Sequence, residues 1–307
     1  MGSMTHGRTG RLALVVLMAG GAAATSRTAQ AQDDPFSGLP DSITLPGIVR
    51  DFRERSEDNG HQDFEKRPDQ GFGQYAYIVA DTLDDDAKPL FMSRGRKVTR
   101  QYTDGQGRNI CPPRDHIPIL PDDHSGYVRS SDGGAVTGPD AFHQWYRDVP
   151  GVNVSKQLPL TLVRRPGTDI YTFDDKEDPE FVSRGGFFPI NGELFGNSRG
   201  ENKNFHFTYE LDTEFTYERG SGQVFTFVGD DDVWVFIDGK IVIDIGGVHA
   251  AVSQTINLDR LDWLVDGRTY SLKFFFAERH RTQSNFRIET TLRLRSVELP
   301  TTSALFD

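Results

Sequence analysis

Residues Val228–Asp244 read V-G-D-D-D-V-W-V-F-I-D-G-K-I-V-I-D. An Asp-Gly pair (Asp238-Gly239) flanked by the apolar runs Val233–Ile237 and Ile241–Ile243 is a strong hairpin signal, because a tight two-residue turn needs positive φ at both central positions. The stretch therefore predicts two antiparallel strands with three consecutive carboxylates, Asp230, Asp231 and Asp232, at the mouth. Adjacent carboxylates repel one another unless solvent, a basic partner or a cation compensates.

Outward from the hairpin the period stays near two. Phe205, Phe207, Tyr209 and Leu211 share one face, Phe215, Tyr217, Phe225 and Phe227 follow, and Phe286, Ile288, Thr290, Leu292 and Leu294 line one side of a late strand. Alternation of this kind marks half-buried strands, while Tyr270–Phe276 is apolar enough to be covered on both faces. Further short strands are predicted at Leu158–Val163, Ile170–Phe173, Gly186–Ile190 and near Val252–Leu258, with brief helices over Asp140–Asn153 and Asp259–Val265. The fold class is all-β, an antiparallel jelly-roll-like sandwich with long loops and a few short helices. In the first of those helices, Phe142, Trp145 and Tyr146 are expected to be core. Residues 71–139, with Pro112-Pro113, Pro118 and Pro121, read as a long irregular excursion.

The N-terminus sets Arg8 and Arg11 before an apolar run, Leu12–Ala24, and the small residues Ala29-Gln30-Ala31. That order reads as a cleaved secretory signal over residues 1–31, followed by a disordered lead-in over 32–44, one domain over 45–297 and a polar tail over 298–307. The expected localisation is secreted, at the cell surface or in the extracellular matrix, with no membrane insertion after cleavage. The formal charge of −11 argues against nucleic acid and anionic membranes as partners. With one cysteine, Cys111, no intramolecular disulfide can form. The core, with or without a metal, must hold the fold.

The loop Ala277–Asn285, A-E-R-H-R-T-Q-S-N, reaches the acidic corner if Tyr270–Phe276 pairs in the hairpin's sheet. Calcium takes six to eight oxygen ligands, whereas zinc prefers nitrogen and sulfur and magnesium wants strict octahedral geometry. Asp230 and Asp231 supply carboxylates for such a site, with Asn285 and Glu278 as further ligands. From chemistry alone a calcium site and a solvated acidic turn both stand open; the other triplet, Asp84–Asp86, reads as a solvated turn.

Ordered blocks across the chain now add to this reading. R-D-F at Arg50 and H-Q-D-F-E at His61 come first, then W-Y-R-D-V-P-G-V-N at Trp145, F-F-P-I at Phe187 and N-F-H-F-T-Y-E-L at Asn204. G-D-D-D-V-W-V-F-I-D-G-K and F-F-A-E-R-H-R-T-Q-S-N-F-R-I-E-T complete the series. From about Leu45 to Val297 they resemble the fibro-slime domain, an extracellular module related to the protective-antigen-type (PA-fourteen) β-sandwich of adhesins and some glycosidases. The resemblance implies a calcium ion held by two adjacent aspartates joined by a cis peptide, which map onto Asp230 and Asp231, and bound in turn by vicinal sugar hydroxyls. It implies a further oxygen ligand from the Ala277–Asn285 loop, Asn285 first and Glu278 second. Asp232 stands where the wider family often has glycine.

Asp232, Arg279, His280 and His249 are expected to meet the ligand, whereas Trp234, on an alternating strand, is as readily core. The expected function is a secreted, calcium-dependent carbohydrate-binding or adhesion module, with an extracellular glycan or polysaccharide as partner. A structural matrix component using calcium to hold loops, with matrix-protein partners, is the alternative. Glycoside hydrolysis ranks last: H-E-x-x-H and phosphate-loop motifs do not occur, and the chain is expected not to be an enzyme.

Overall fold

In the computed structural model, which describes residues 34–296, Asp238 and Gly239 both take left-handed backbone angles, φ 49° and 76°. Strands Asp232–Ile237 and Lys240–Ile245 pair antiparallel on either side of that turn. The hairpin is central to a nine-stranded sheet, in the order Asn153–Gln157, Gly47–Phe52, Phe207–Thr216, Thr269–Glu278, Asp232–Ile237, Lys240–Ile245, Val79–Leu83 and Pro89–Phe91; Arg295–Ser296 adds beside Phe207–Thr216. A six-stranded sheet faces it, ordered Ser42–Leu45, Leu160–Arg164, Tyr171–Asp174, Phe286–Thr290, Val224–Gly229 and Val252–Asn257. The architecture is the expected all-β antiparallel sandwich. The signal and tail readings lie outside the described residues.

Alternation puts Phe207, Tyr209, Phe227, Val233, Val235, Phe274, Phe276, Phe286 and Ile288 into the space between the sheets. Phe187 joins them, its ring stacked on Phe286 with centroids 4.3 Å apart. The outer face of the nine-stranded sheet is covered as well. Trp234, Phe236, Ile241, Phe275 and Ala277 pack there against Tyr75, Ile78, Val79, Phe142, Trp145 and Tyr146. Every residue of Asp232–Ile237 is consequently buried. Trp234 is core, its indole N–H donating to Asp244 Oδ1 at 3.1 Å, and Phe142, Trp145 and Tyr146 are core as read.

Several boundaries differ from expectation. Gly186–Ile190 is not a strand: Gly185 and Gly186 take φ of 70° and 134°, and Pro189 has no N–H to offer a ladder. The segment Asp140–Asn153 is helical only at Pro139–Phe142 before it turns. Asp259–Val265 keeps a single 3-10 turn, Leu258–Arg260, with Leu261 already extended. Ser42–Leu45, whose first three residues fall in the stretch read as a disordered lead-in, pairs with Leu160–Val163.

Residues 71–139 are less irregular than their composition suggests. They hold a small sheet of Tyr75–Ala76, Arg96–Arg100 and Tyr127–Val128 and two strands of the large sheet. The buried Arg114 ties them down, its Nη2 donating to Asp244 at 2.6 Å.

Gly229, the last residue before the acidic triplet, pairs with Phe286. A Cβ there would lie 2.2 Å from the Asn285 carbonyl oxygen and 2.5 Å from the Phe227 ring. Gly229→Ala must therefore push the two strands apart. A loss of about 1–3 kcal/mol is expected, as for overpacking generally, and denaturant unfolding would measure it.

Candidate functional site

Thr269–Glu278 pairs with the hairpin strand, setting Asp232 opposite Ala277. Continuing that antiparallel register by one residue brings Asp231 beside Glu278. The strand order thus delivers the Ala277–Asn285 loop to the acidic corner. The Asp230–Asp231 peptide bond is cis.

The three aspartates part company at once. Asp230 is held by Asn285, whose backbone N–H donates to Oδ1 at 2.6 Å and whose side-chain Nδ2 donates to Oδ2 at 2.8 Å. Asp231 accepts from the backbone N–H of His249 and of Arg279, each at 3.2 Å. Asp232 accepts from Arg279 Nε at 2.5 Å and Nη2 at 3.2 Å, and from the Gly247 N–H at 2.6 Å. Glu278 accepts from the His280 N–H at 3.4 Å through Oε1, while its buried Oε2 has no partner.

Electrostatics divides the group the same way. Burial, with the charge of Asp175 adding to it, pushes Asp230 up to about 6 despite the Asn285 bonds. Burial raises Asp231 well above the carboxylate range, and Asp232 and Asp230 add to this while Arg279 opposes it. Glu278 is raised well above its ordinary value by burial and then by Asp231 and Asp230, with the nearby Ser284 hydroxyl, itself outside hydrogen-bond geometry, opposing the rise. Three buried carboxylates thus destabilise one another's charged forms, and Arg279, the nearby cation, is spent on Asp232. The contrast is Asp84–Asp86, a turn whose Asp84 bonds the Asp86 and Lys88 amides and meets Arg147.

By donor type these residues suit a hard divalent cation, although their ligand atoms are not gathered within 4.8 Å of one another as those of Glu54, Glu65 and His206 are. The donors are all oxygen, one is a buried orphan, and Asn285 has committed its Nδ2 to Asp230, which leaves Oδ1 as the oxygen it can offer.

Two expected ligand contacts are corrected. Asp232 and Arg279 are 0 % exposed and satisfy each other. Arg279 Nη1 also donates to the carbonyls of Asp63 (3.3 Å) and Ala135 (3.1 Å), and its guanidinium lies 5.1 Å from the Trp145 ring centroid. This fully buried pair braces the corner from within the protein. His249 lines the corner through its backbone N–H. Its Nδ1 donates to Ala250 O at 2.9 Å, its buried Nε2 is unpartnered, and burial pushes the ring down to about 4, so it is neutral. His280 stays at the rim with its side chain 23 % exposed and its Nε2 3.5 Å from Glu65 Oε2.

Sequence reading missed Asp175, whose carboxylate accepts from the Phe286 N–H at 2.9 Å, one residue along from the amide that holds Asp230. It sits in an acidic run, Asp174–Asp178, that looks like any solvated turn; only strand pairing reveals it. Asp63 was missed too: it accepts from Trp145 Nε1 (3.1 Å) and the Thr137 N–H (2.6 Å). Glu54, Glu65 and His206 offer ligand atoms within 4.8 Å of one another. There Arg281 donates to Glu54 through its guanidinium and to Glu65 through its backbone N–H, so that cluster is an ion-pair network.

The family model for the PA14 domain matches residues 186–301. The C-terminal part of this chain is thus similar to the PA14 domain family. All the candidate carboxylates except Asp175 fall inside the PA14 match, whereas the carbonyls that clamp Arg279, from Asp63 and Ala135, come from the segment before it. The chain is 36% identical over 195 residues to protein psiQ of Dictyostelium discoideum, covering 59% of this chain and 18% of that one. It is 42% identical over 164 residues to psiD of the same organism, covering 51% and 30%. The chain spans less than a third of the length of these curated relatives. Among solved structures, a PA14 sugar-binding domain from an RTX adhesin aligns with 62% of this chain and 85% of its own, at 11% identity and a TM-score of 0.26.

Proposed function

We propose that this PA14-like domain is an extracellular calcium-dependent glycan-binding module, with the ion held by Asp230, Asp231, Glu278 and Asn285. The observation that carries the reading is the partnerless, buried Oε2 of Glu278 beside two further buried carboxylates. An ionised carboxylate is costly to bury unless it is paired or coordinates a metal. A calcium ion supplies the missing positive charge, and its coordination sphere of six to eight oxygens exceeds what four side chains fill. The remaining positions suit water or the vicinal hydroxyls of a sugar, which is the partner the family resemblance implies. Binding at a cell surface or in a matrix accords with the leader read at residues 1–31. Among the described residues no helix is long and apolar enough to cross a membrane.

A second reading is favoured by the depth of the site, since Asp230, Asp231 and Glu278 are all less than 5% exposed. An ion there would hold the hairpin mouth to the Ala277–Asn285 loop without meeting a glycan. A panel of immobilised galactose-, glucose- and mannose-terminated glycans, probed in calcium and in chelator, separates the two. Capture in calcium that chelator abolishes supports the lectin reading. Thermal stabilisation by calcium with no capture transfers the case to the structural ion, and a protein indifferent to calcium defeats both.

A further inference from the structure

Phe72 is an apolar ring 47% exposed, and its loop is held far more firmly than an incidental surface residue requires. Single exposed hydrophobic side chains are ordinary; the anchoring is what distinguishes this one. It sits in a Gly-Phe-Gly tip whose glycines take φ of 77° and 140°. Lys97 Nζ donates to three successive carbonyls, Gln70 (2.8 Å), Gly71 (3.3 Å) and Phe72 (2.8 Å), and the Tyr75 hydroxyl donates to Gly71 O at 2.6 Å.

The tip is fastened to both walls of the acidic corner. The Gly73 N–H donates to Val248 O at 2.8 Å, immediately before His249, whose N–H holds Asp231. On the other side the Phe72 ring meets the His280 ring at 4.9 Å and 74°, and the His280 N–H bonds Glu278. Arg67 approaches the same ring at 5.6 Å. An exposed aromatic ring is thereby tied to the segments whose backbone N–H groups hold Asp231 and Glu278, with the His280 ring packed edge-to-face against it and the Arg67 guanidinium over it. Trp234, the aromatic that the sequence places nearest the carboxylates, is sealed in the core.

We propose that Phe72 is the stacking platform of the ligand site, taking the C–H face of a pyranose ring whose hydroxyls turn toward the ion. This rests on the calcium–glycan reading above and adds the ligand's chemistry: a pyranose with contiguous C–H groups on one face. Arg67 stands where it can donate to hydroxyls around the ring, while His280, its Nδ1 bonded to Arg281 O and its Nε2 facing Glu65, holds the edge of the platform. The platform comes from outside the PA14 match, so selectivity is supplied by the preceding segment while the ion site belongs to the domain.

The test compares wild type, Phe72→Ala and Phe72→Trp on the glycan panel. The soluble methyl glycoside of the best binder is then titrated in calcium, with thermal melts in calcium and in chelator alongside. Loss of the ring is expected to weaken glycoside binding roughly tenfold, from the size of aromatic contacts. The calcium-induced melting shift should be unchanged, and Phe72→Trp should bind at least as well as wild type. Phe72→Ala binding within about twofold of wild type overturns the platform and leaves the lectin reading intact. A Phe72→Ala protein that also loses the calcium shift overturns it as well, by showing a structural role. A wild type that captures no glycan in calcium sinks the underlying reading and the platform together.

Discussion

Arg279→Met should cost about 3–5 kcal/mol, the range for breaking a buried ion pair from one side. Against a typical total stability of roughly 5–15 kcal/mol, the variant is expected to be largely unfolded at modest denaturant. The size follows from what is left behind. Asp232 would keep one short bond, to the Gly247 N–H, and would face a fully buried site without its cation. The carbonyls of Asp63 and Ala135 would lose the donor they share, and Trp145 the guanidinium beside its ring. Removing both charges should hurt less than removing one, because an apolar pair leaves no unpaired charge in the interior. The double variant Asp232→Leu with Arg279→Met is therefore expected to recover part of the loss, giving a coupling of about 1–3 kcal/mol in the mutant cycle. Urea unfolding of the four proteins decides it. A single-variant cost below about 1 kcal/mol would mean that water reaches the pair and that the corner is not braced as described.

The second large effect is at Asp231. In chelator, Asp231→Asn should stay close to wild type, because removing a carboxylate that burial, Asp232 and Asp230 all oppose offsets the one backbone N–H bond that an amide forfeits. In calcium the variant should fall well below wild type. A ligand that binds only the folded state stabilises it by about 2.7 kcal/mol at a hundredfold excess over Kd, and the variant forfeits most of that.

Acidity should modulate the same difference. Asp230 is raised to about 6 in the folded protein from an ordinary value of 3.8. Its contribution without metal is therefore fully present below about pH 4 and lost as pH rises through about 6. Calcium needs the deprotonated carboxylates, so the calcium-induced rise in Tm should be small near pH 5 and grow toward pH 7.5. Parallel melts of both proteins in calcium and chelator at the two pH values measure it. A wild type whose Tm ignores calcium at both would remove the ion from this site.

The sequence by itself determined the hairpin, the sandwich and the candidate ligands. Asp238-Gly239 dictates its turn because few other pairs tolerate two left-handed residues, and period-two alternation chooses which side of each strand faces the core. Both are local properties, carried by a residue and its immediate neighbours. Only the tertiary structure decided which acidic residues are held in common and which are spent. Asp230, Asp231 and Asp232 look equivalent along the chain, yet strand pairing gives Asp232 to Arg279, gives Asp230 to Asn285 and sets Asp231 next in register to Glu278, whose Oε2 makes no hydrogen bond. Asp175 comes next to Asp230, and Trp234 proves to be core, for the same reason. Burial and charge compensation depend on partners more than forty residues away, and no local pattern records them.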